Sequence, residues 1–135
     1  MLSLILACPL AHAQNAKPDK RMAEREAATA VSGLREQVGQ ALSKKKVDQA
    51  IRLQTQVVLQ LERRLGPKHP EVARARKTKA NIVLMAANLA VSVLRARYLK
   101  LAAKQKFKEA IQVSLRINAI YIKRLGPWHP VVAAH

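Results

Sequence analysis

The sequence predicts an all-α fold of tandem antiparallel helical hairpins, an α-solenoid with elongated helices, and three observations lead there. First, a unit returns after 60 residues: AVSGLR at 30–35 recurs as AVSVLR at 90–95, and RLGPKHPEVA from Arg64 recurs as RLGPWHPVVA from Arg124. The same offset lays Ala50 and Ile51 over Ala110 and Ile111. Self-similarity at a fixed period marks stacked supersecondary units, each burying its apolar side against its neighbour. Second, half of the residues are hydrophobic but only 3% are aromatic, and Ala, Leu, Val, Lys, Arg and Gln dominate, a vocabulary of helix formers. Third, apolar residues recur at four-three spacing, which keeps one stripe of a helix facing inward.

Taken in order, residues 1–13 read as a signal peptide: Leu2 to Leu10 is a short apolar run, and Ala11, His12 and Ala13 form an A-x-A cleavage site before Gln14. The expected localisation is exported, periplasmic or extracellular, with 14–19 a flexible linker. Ile5, Leu6, Ala7 and Cys8 also resemble a lipobox, which would make the only cysteine, Cys8, a lipidated anchor; Pro9 directly after it counts against this. An uncleaved hydrophobic start is the third alternative. With cleavage, the mature chain has no cysteine and no disulfide.

The first hairpin repeat is expected over 20–70. Its first helix carries the stripe Ala27, Val31, Leu34, Val38 and Ala41, a lysine turn follows at Lys44 to Lys46, and a second helix runs from Val47 to Leu65. Gly66 suits a left-handed residue after a helix, Pro67 prevents continuation, and Pro70 fits the first turn of the next helix. The second repeat, 71–130, has the stripe Ala80, Leu84, Ala87, Val91, Leu94, Tyr98 and Leu101, with Arg74, Asn81, Asn88 and Arg95 every seven residues on another face. From Ile82 to Leu94 there is no charge, which predicts cover on more than one face, by neighbouring helices or by a second copy in a homodimer through 82–94. That run is shorter than the about 20 apolar residues of a membrane span. Lys104 to Lys106 form the next turn, Phe107 to Leu125 the next helix, and Gly126, Pro127, His129 and Pro130 repeat the stop-turn-start signal. Residues 131–135 read as the start of a truncated next helix, so the chain is expected to be a piece of a longer array.

DQAIRLQTQVVLQLERRLGPKHPEVA and EAIQVSLRINAIYIKRLGPWHPVVA resemble tetratricopeptide repeats of the kinesin light chain type, most specifically at LGPxHPxVA. Ala50 and Ala110 match the small residue near the start of that family's second helix, and Val47 and Phe107 match the apolar residue three positions earlier. The unit here is longer than the family's, and Val38 and Tyr98 stand where a small residue is expected at the close helix crossing, so longer and wider hairpins are expected. The resemblance implies protein recognition, with first helices lining a groove for an extended segment. It directs Ser32, Arg35, Ser92, Arg95 and Asn88 toward that ligand, and Arg74 joins them as a third guanidinium for carboxylates.

The net charge of +17 and pI near 11.1 call for an anionic partner. The leading expectation is a protein-protein interaction scaffold that binds an acidic or extended protein segment; the alternative is a basic polyanion binder acting on anionic lipid, surface polymer or nucleic acid. Arg97, Lys100, Lys104 and Lys108 form a basic strip suited to the alternative. A membrane surface stays among the candidates. Nucleic acid ranks behind, because Tyr98, Phe107, Tyr121 and Trp128 are the only rings for stacking and an exported protein rarely meets it. His69 and His129 each stand in a turn without a second ligand at metal spacing, so they read as structural turn residues and no metal or other cofactor is expected. No nucleophile with its base, carboxylate pair or phosphate loop is recognisable, so no enzymatic activity is expected. Trp128, which replaces Lys68 of the first turn, is expected to pack against the next hairpin or, second, to form part of a contact surface.

Overall fold

The computed structural model of the chain describes residues 19–134, of which 86% are helical and none lies in a strand. The readings placed on 1–18, the signal peptide, Cys8 and most of the linker, and on His135 lie outside the described residues. Five helices follow one another: α1 (Lys20–Ser43), α2 (Val47–Leu65), α3 (Pro70–Ala103), α4 (Phe107–Leu125) and α5 (Pro130–Ala133). Each packs on its neighbours in sequence, α1 on α2, α2 on α3, α3 on α4 and α4 on α5.

Turn chemistry is the same in both copies. At the end of α1 the Lys46 N–H donates to the Ala41 carbonyl (2.8 Å) and the Lys45 N–H to that of Leu42 (3.0 Å). At the end of α3, Lys106 donates to Leu101 and Gln105 to Ala102, both at 3.0 Å. This is the Schellman pattern, which needs a left-handed residue. Lys45 and Gln105 supply it, with φ of 57° and 58°. The left-handed positions are therefore these and not Gly66 and Gly126. The glycines have φ of 86° and 90° with ψ of 157° and 158°, a region that is essentially glycine's alone. A methyl group there would meet nothing within 4 Å, so backbone conformation rather than space demands glycine. His69 and His129 then cap α3 and α5: each Nδ1 accepts the backbone N–H two residues on, from Glu71 (3.2 Å) and Val131 (3.3 Å), with proline opening the helix.

The core comes in three clusters. Ala27 and Val31 of α1, Val57, Val58 and Leu61 of α2, and Val72 and Ala75 of α3 form one; Val38, Ala41, Ala50 and Ile82 form the second. The third joins Ala87 and Val91 of α3 to Val113, Ile117 and Tyr121 of α4. Thus the N-terminal half of α3 packs on α2 and its C-terminal half on α4. The 34-residue helix, about 51 Å at 1.5 Å per residue, spans both. Gln54 is the buried polar residue of the interior, and its Nε2 donates to the Ala75 carbonyl across α2 and α3 (3.0 Å).

Several expectations need correction. The run from Ile82 to Leu94 is covered in part, Ile82 packing with α1 and α2 and Ala87 and Val91 with α4, while Met85, Leu89 and Val93 stay exposed. Ala80 and Tyr98 of the expected inward stripe are exposed too. An 18-residue window of α3, flanking charges included, has a mean hydropathy of 1.5, so the helix is by length and composition apolar enough to cross a membrane; 22% of the window is buried against other helices. Trp128 is 95% exposed, as its expected neighbour, the next hairpin, lies outside the described residues, and Phe107 is 63% exposed although Val47, its counterpart, is half-buried.

Gly66→Ala is expected to lower the unfolding free energy by ~1–3 kcal/mol. Lys45→Gly relieves a left-handed backbone costing roughly 1–2 kcal/mol and gives back about 0.5–1 kcal/mol through the freer unfolded chain. A net stabilisation of up to about 1.5 kcal/mol should follow, and urea unfolding of the two variants beside the parent reads both signs.

Candidate functional site

Between α1 and the start of α3 opens a groove of about 600 Å³, lined by Glu24, Arg25, Arg35, His69, Glu71 and Arg74 among others. It continues along Val38, Gly39 and Thr78, still flanked by Arg35, Glu71 and Arg74. The LGPxHP turn puts Glu71 there, because the His69 cap fixes the first turn of α3 beside α1. Arg35 Nη2 reaches Glu71 Oε2 at 3.2 Å and Arg74 Nη1 reaches Oε1 at 2.8 Å, so two guanidinium groups from different helices clasp one carboxylate. The Arg35 hydrogen bond holds the Glu71 carboxyl below the usual carboxylate range; partial burial opposes it, and the charges of Arg35 and Arg74 add to it. Across the groove His69 Nε2 lies 3.1 Å from Glu24 Oε1. Since Nδ1 accepts a backbone N–H, Nε2 carries the proton and donates.

The residues singled out from the sequence separate into three sets. Arg35 and Arg74 share the groove. Asn88 and Arg95 do not line it; both meet Tyr121 of α4, whose hydroxyl accepts from Arg95 Nη2 (3.0 Å) and donates to Asn88 Oδ1 (2.9 Å). Ser32 and Ser92 are exposed and donate to the carbonyls of Thr29 and Leu89 in their own helices, both at 2.8 Å. The basic strip is exposed throughout: Arg97, Lys100 and Lys104 at the end of α3 and Lys108 at the start of α4 form no ion pair among the described residues. Between Glu71 and Glu109 the chain carries ten Lys or Arg and no acidic residue. No group of three His, Cys, Asp or Glu among the described residues is placed to hold a metal.

No family model, curated protein or solved structure matches the chain. Its two copies can still be compared with each other. Arg35 and Arg95 are equivalent, but Glu71 becomes Val131 and Arg74 becomes Ala134, so the second arginine has no carboxylate at the matching place. Leu61 becomes Tyr121, and Arg95 turns to its hydroxyl. Glu24 becomes Leu84, so among the described residues the His129 ring makes its capping bond alone. Glu71 and Tyr121 are the functional residues that sequence reading missed. Both stand where the two copies differ inside an otherwise shared pattern.

A depressed carboxylate pKa stabilises the fold above the unfolded carboxylate range, and that contribution disappears as pH falls through the folded value. The stability difference between the parent and Glu71→Gln should therefore be present near neutral pH and vanish in acid, as read by denaturant unfolding at a series of pH values. Tyr121→Phe, which breaks two hydrogen bonds while keeping the ring, should cost about 1 kcal/mol.

Proposed function

We propose that this chain is a non-catalytic helical-repeat scaffold of the tetratricopeptide type, a solenoid of tandem hairpins that is exported and binds an acidic protein segment in the groove between α1 and α3. One observation carries the reading: Arg35 and Arg74 converge from two helices on a single carboxylate, that of Glu71, in an open groove about 600 Å³ in volume. Charge-assisted hydrogen bonds from guanidinium to carboxylate are strong, and arginine is over-represented where carboxylates are recognised. Glu71 then occupies the place of the ligand's carboxylate and is displaced by it. All three side chains keep a third or more of their surface in contact with solvent, so the exchange needs no helix to move.

The second reading is charge-driven binding of a polyanion such as anionic lipid or surface polymer. It is favoured by the unpaired strip Arg97, Lys100, Lys104 and Lys108 and by the acid-free stretch around it. The two readings differ in the effect of position. On the first, a labelled oligoglutamate peptide should bind several-fold more tightly to Glu71→Gln, whose arginines are released, and at least ~10-fold more weakly to Arg35→Glu combined with Arg74→Glu, given the ~1.5–3 kcal/mol of a charge-assisted bond. Equal binding by both variants, with an affinity that tracks only salt and total charge, would assign the activity to the strip instead.

A further inference from the structure

The groove between α1 and α3 does not stop at Thr78. Along α3, positions 71, 74, 78, 82, 85, 89, 93, 97, 100 and 104 follow one another in steps of three and four, which keeps them on one stripe of the helix. Glu71, Arg74 and Thr78 line the groove; at Ile82, which packs with Val38 and Ala41, its floor passes to Gly39 and Leu42 of α1. Beyond Ser43, where α1 ends, the stripe runs on in the open as Met85, Leu89 and Val93, and then as Arg97, Lys100 and, at the helix cap, Lys104.

This opening is set by the first hairpin. Ala75, Ile82 and Leu89 stand seven residues apart, so Leu89 lies on the side of α3 that α1 and α2 bury one and two heptads earlier. The first hairpin turns toward α3 with Arg35 and Val38, and their counterparts in α3, Arg95 and Tyr98, lie roughly opposite the stripe. Stacking after α4 therefore uses another side of α3 and leaves Met85, Leu89 and Val93 open. The stripe also separates the two copies: Met85, Leu89, Val93, Arg97 and Lys100 stand where the first copy has Arg25, Thr29, Gly33, Gln37 and Gln40. All of these positions are exposed in both copies, so no core asks for the apolar residues of the second. Exposed apolar residues in a continuous patch mark a contact surface.

Charge selects the occupant. Arg35 and Arg74 stand at one end of the apolar centre and Arg97, Lys100 and Lys104 at the other, with no acidic residue between Glu71 and Glu109. Asp48, beside the tip of the first hairpin, is held by Arg124. A second copy laid on this face would set cation against cation, which is costly, and a flat lipid surface cannot follow the stripe into the groove beside α1. We infer that the stripe docks a partner segment that is acidic at both ends and apolar in the middle. Its first acidic residues meet Arg35 and Arg74, its apolar residues meet Met85, Leu89 and Val93, and its last acidic residues meet Arg97 and Lys100. From Arg74 to Lys100 the helix rises about 39 Å at 1.5 Å per residue, the reach of roughly 12 extended residues. The inference rests on the groove reading and adds to it the order of charged and apolar residues in the ligand.

Three labelled peptides of about 12 residues test it: glutamates at both ends with leucines in the middle, the same ends with serines in the middle, and the first composition rearranged with leucines at the ends and glutamates in the middle. The first should bind the parent chain at least ~10-fold more tightly than the other two, through the apolar surface it buries. Leu89→Gln with Val93→Gln, which changes no charge and touches only exposed positions, should remove that preference and bind the serine peptide as the parent does. Arg97→Gln with Lys100→Gln should weaken the first peptide several-fold. Equal binding of all three peptides by the parent would overturn the inference and leave the groove reading standing, whereas binding of none would overturn both. A preference that survives in Leu89→Gln with Val93→Gln would also overturn it. So would a parent that dimerises through these two residues in sedimentation equilibrium, because the occupant would then be a second copy.

Discussion

With φ of 86° and ψ of 157°, Gly66 turns the chain out of α2 through a backbone geometry that glycine alone holds without strain, and the position of α3 follows from it. Three residues later His69 caps α3 through its own ring nitrogen, and Pro70 starts the helix with its angle already set. Capping fixes where the first turn of α3 points, so Glu71 arrives between Arg35 and Arg74 rather than in solvent. The candidate groove thus needs turn chemistry, which aims the start of α3, as well as the approach of α1 that brings Arg35 to it. The same turn at Gly126 delivers Val131 in place of Glu71, and no carboxylate site forms.

One backbone plan therefore carries two chemistries. In the first copy the charges find partners at short range, Arg35 and Arg74 on Glu71 and Arg76 on Glu62, and the His69 ring donates to Glu24. Exposed pairs of this kind add only ~0–1 kcal/mol each, so their importance lies in aligning groups and not in stability. In the second copy Glu71 and Glu24 give way to Val131 and Leu84, and Glu109, paired with Lys106, is the acidic residue of α4. α3 joins the two regimes, because its first half is buried by α2 and its second half by α4. Among the described residues the Arg124–Asp48 contact at 3.5 Å is the ion pair that joins α2 to α4. The strong positive charge is accordingly uneven, and the half of the molecule most able to attract an anion is the half with the most open apolar surface.

Much of the helical architecture was legible in the sequence. The breaks at Lys44–Lys46 and Gly66–Pro70, and their repeats, follow from glycine, proline and the end of apolar periodicity, all of which are local. The inward stripe of α1 was legible because a single face is buried there. On α3 the pattern failed, since one helix serves two partners on different faces in its two halves, and an averaged stripe describes neither. The glycine conformation was misread as left-handed, because sequence specifies a positive φ but not ψ. Lys45 and Gln105 were invisible as left-handed residues because lysine and glutamine carry no such preference. At the site, Arg35 and Arg74 were recognisable as a type of residue in a place. Their convergence on Glu71 depends on how α1 and α3 approach, which no periodicity encodes, and Asn88 and Arg95 were drawn away by the Tyr121 hydroxyl on another helix.

The central claim is that a carboxylate recognised by Arg35 and Arg74 is what the groove is for, and the most direct measurement is a residue-resolved titration. The ¹⁵N-labelled chain would be followed by NMR while unlabelled oligoglutamate peptide is added at physiological salt. The account predicts saturable shift changes centred on Arg35, Glu71 and Arg74, including the guanidinium signals. Changes confined to Arg97, Lys100, Lys104 and Lys108, and abolished by added salt, would contradict it.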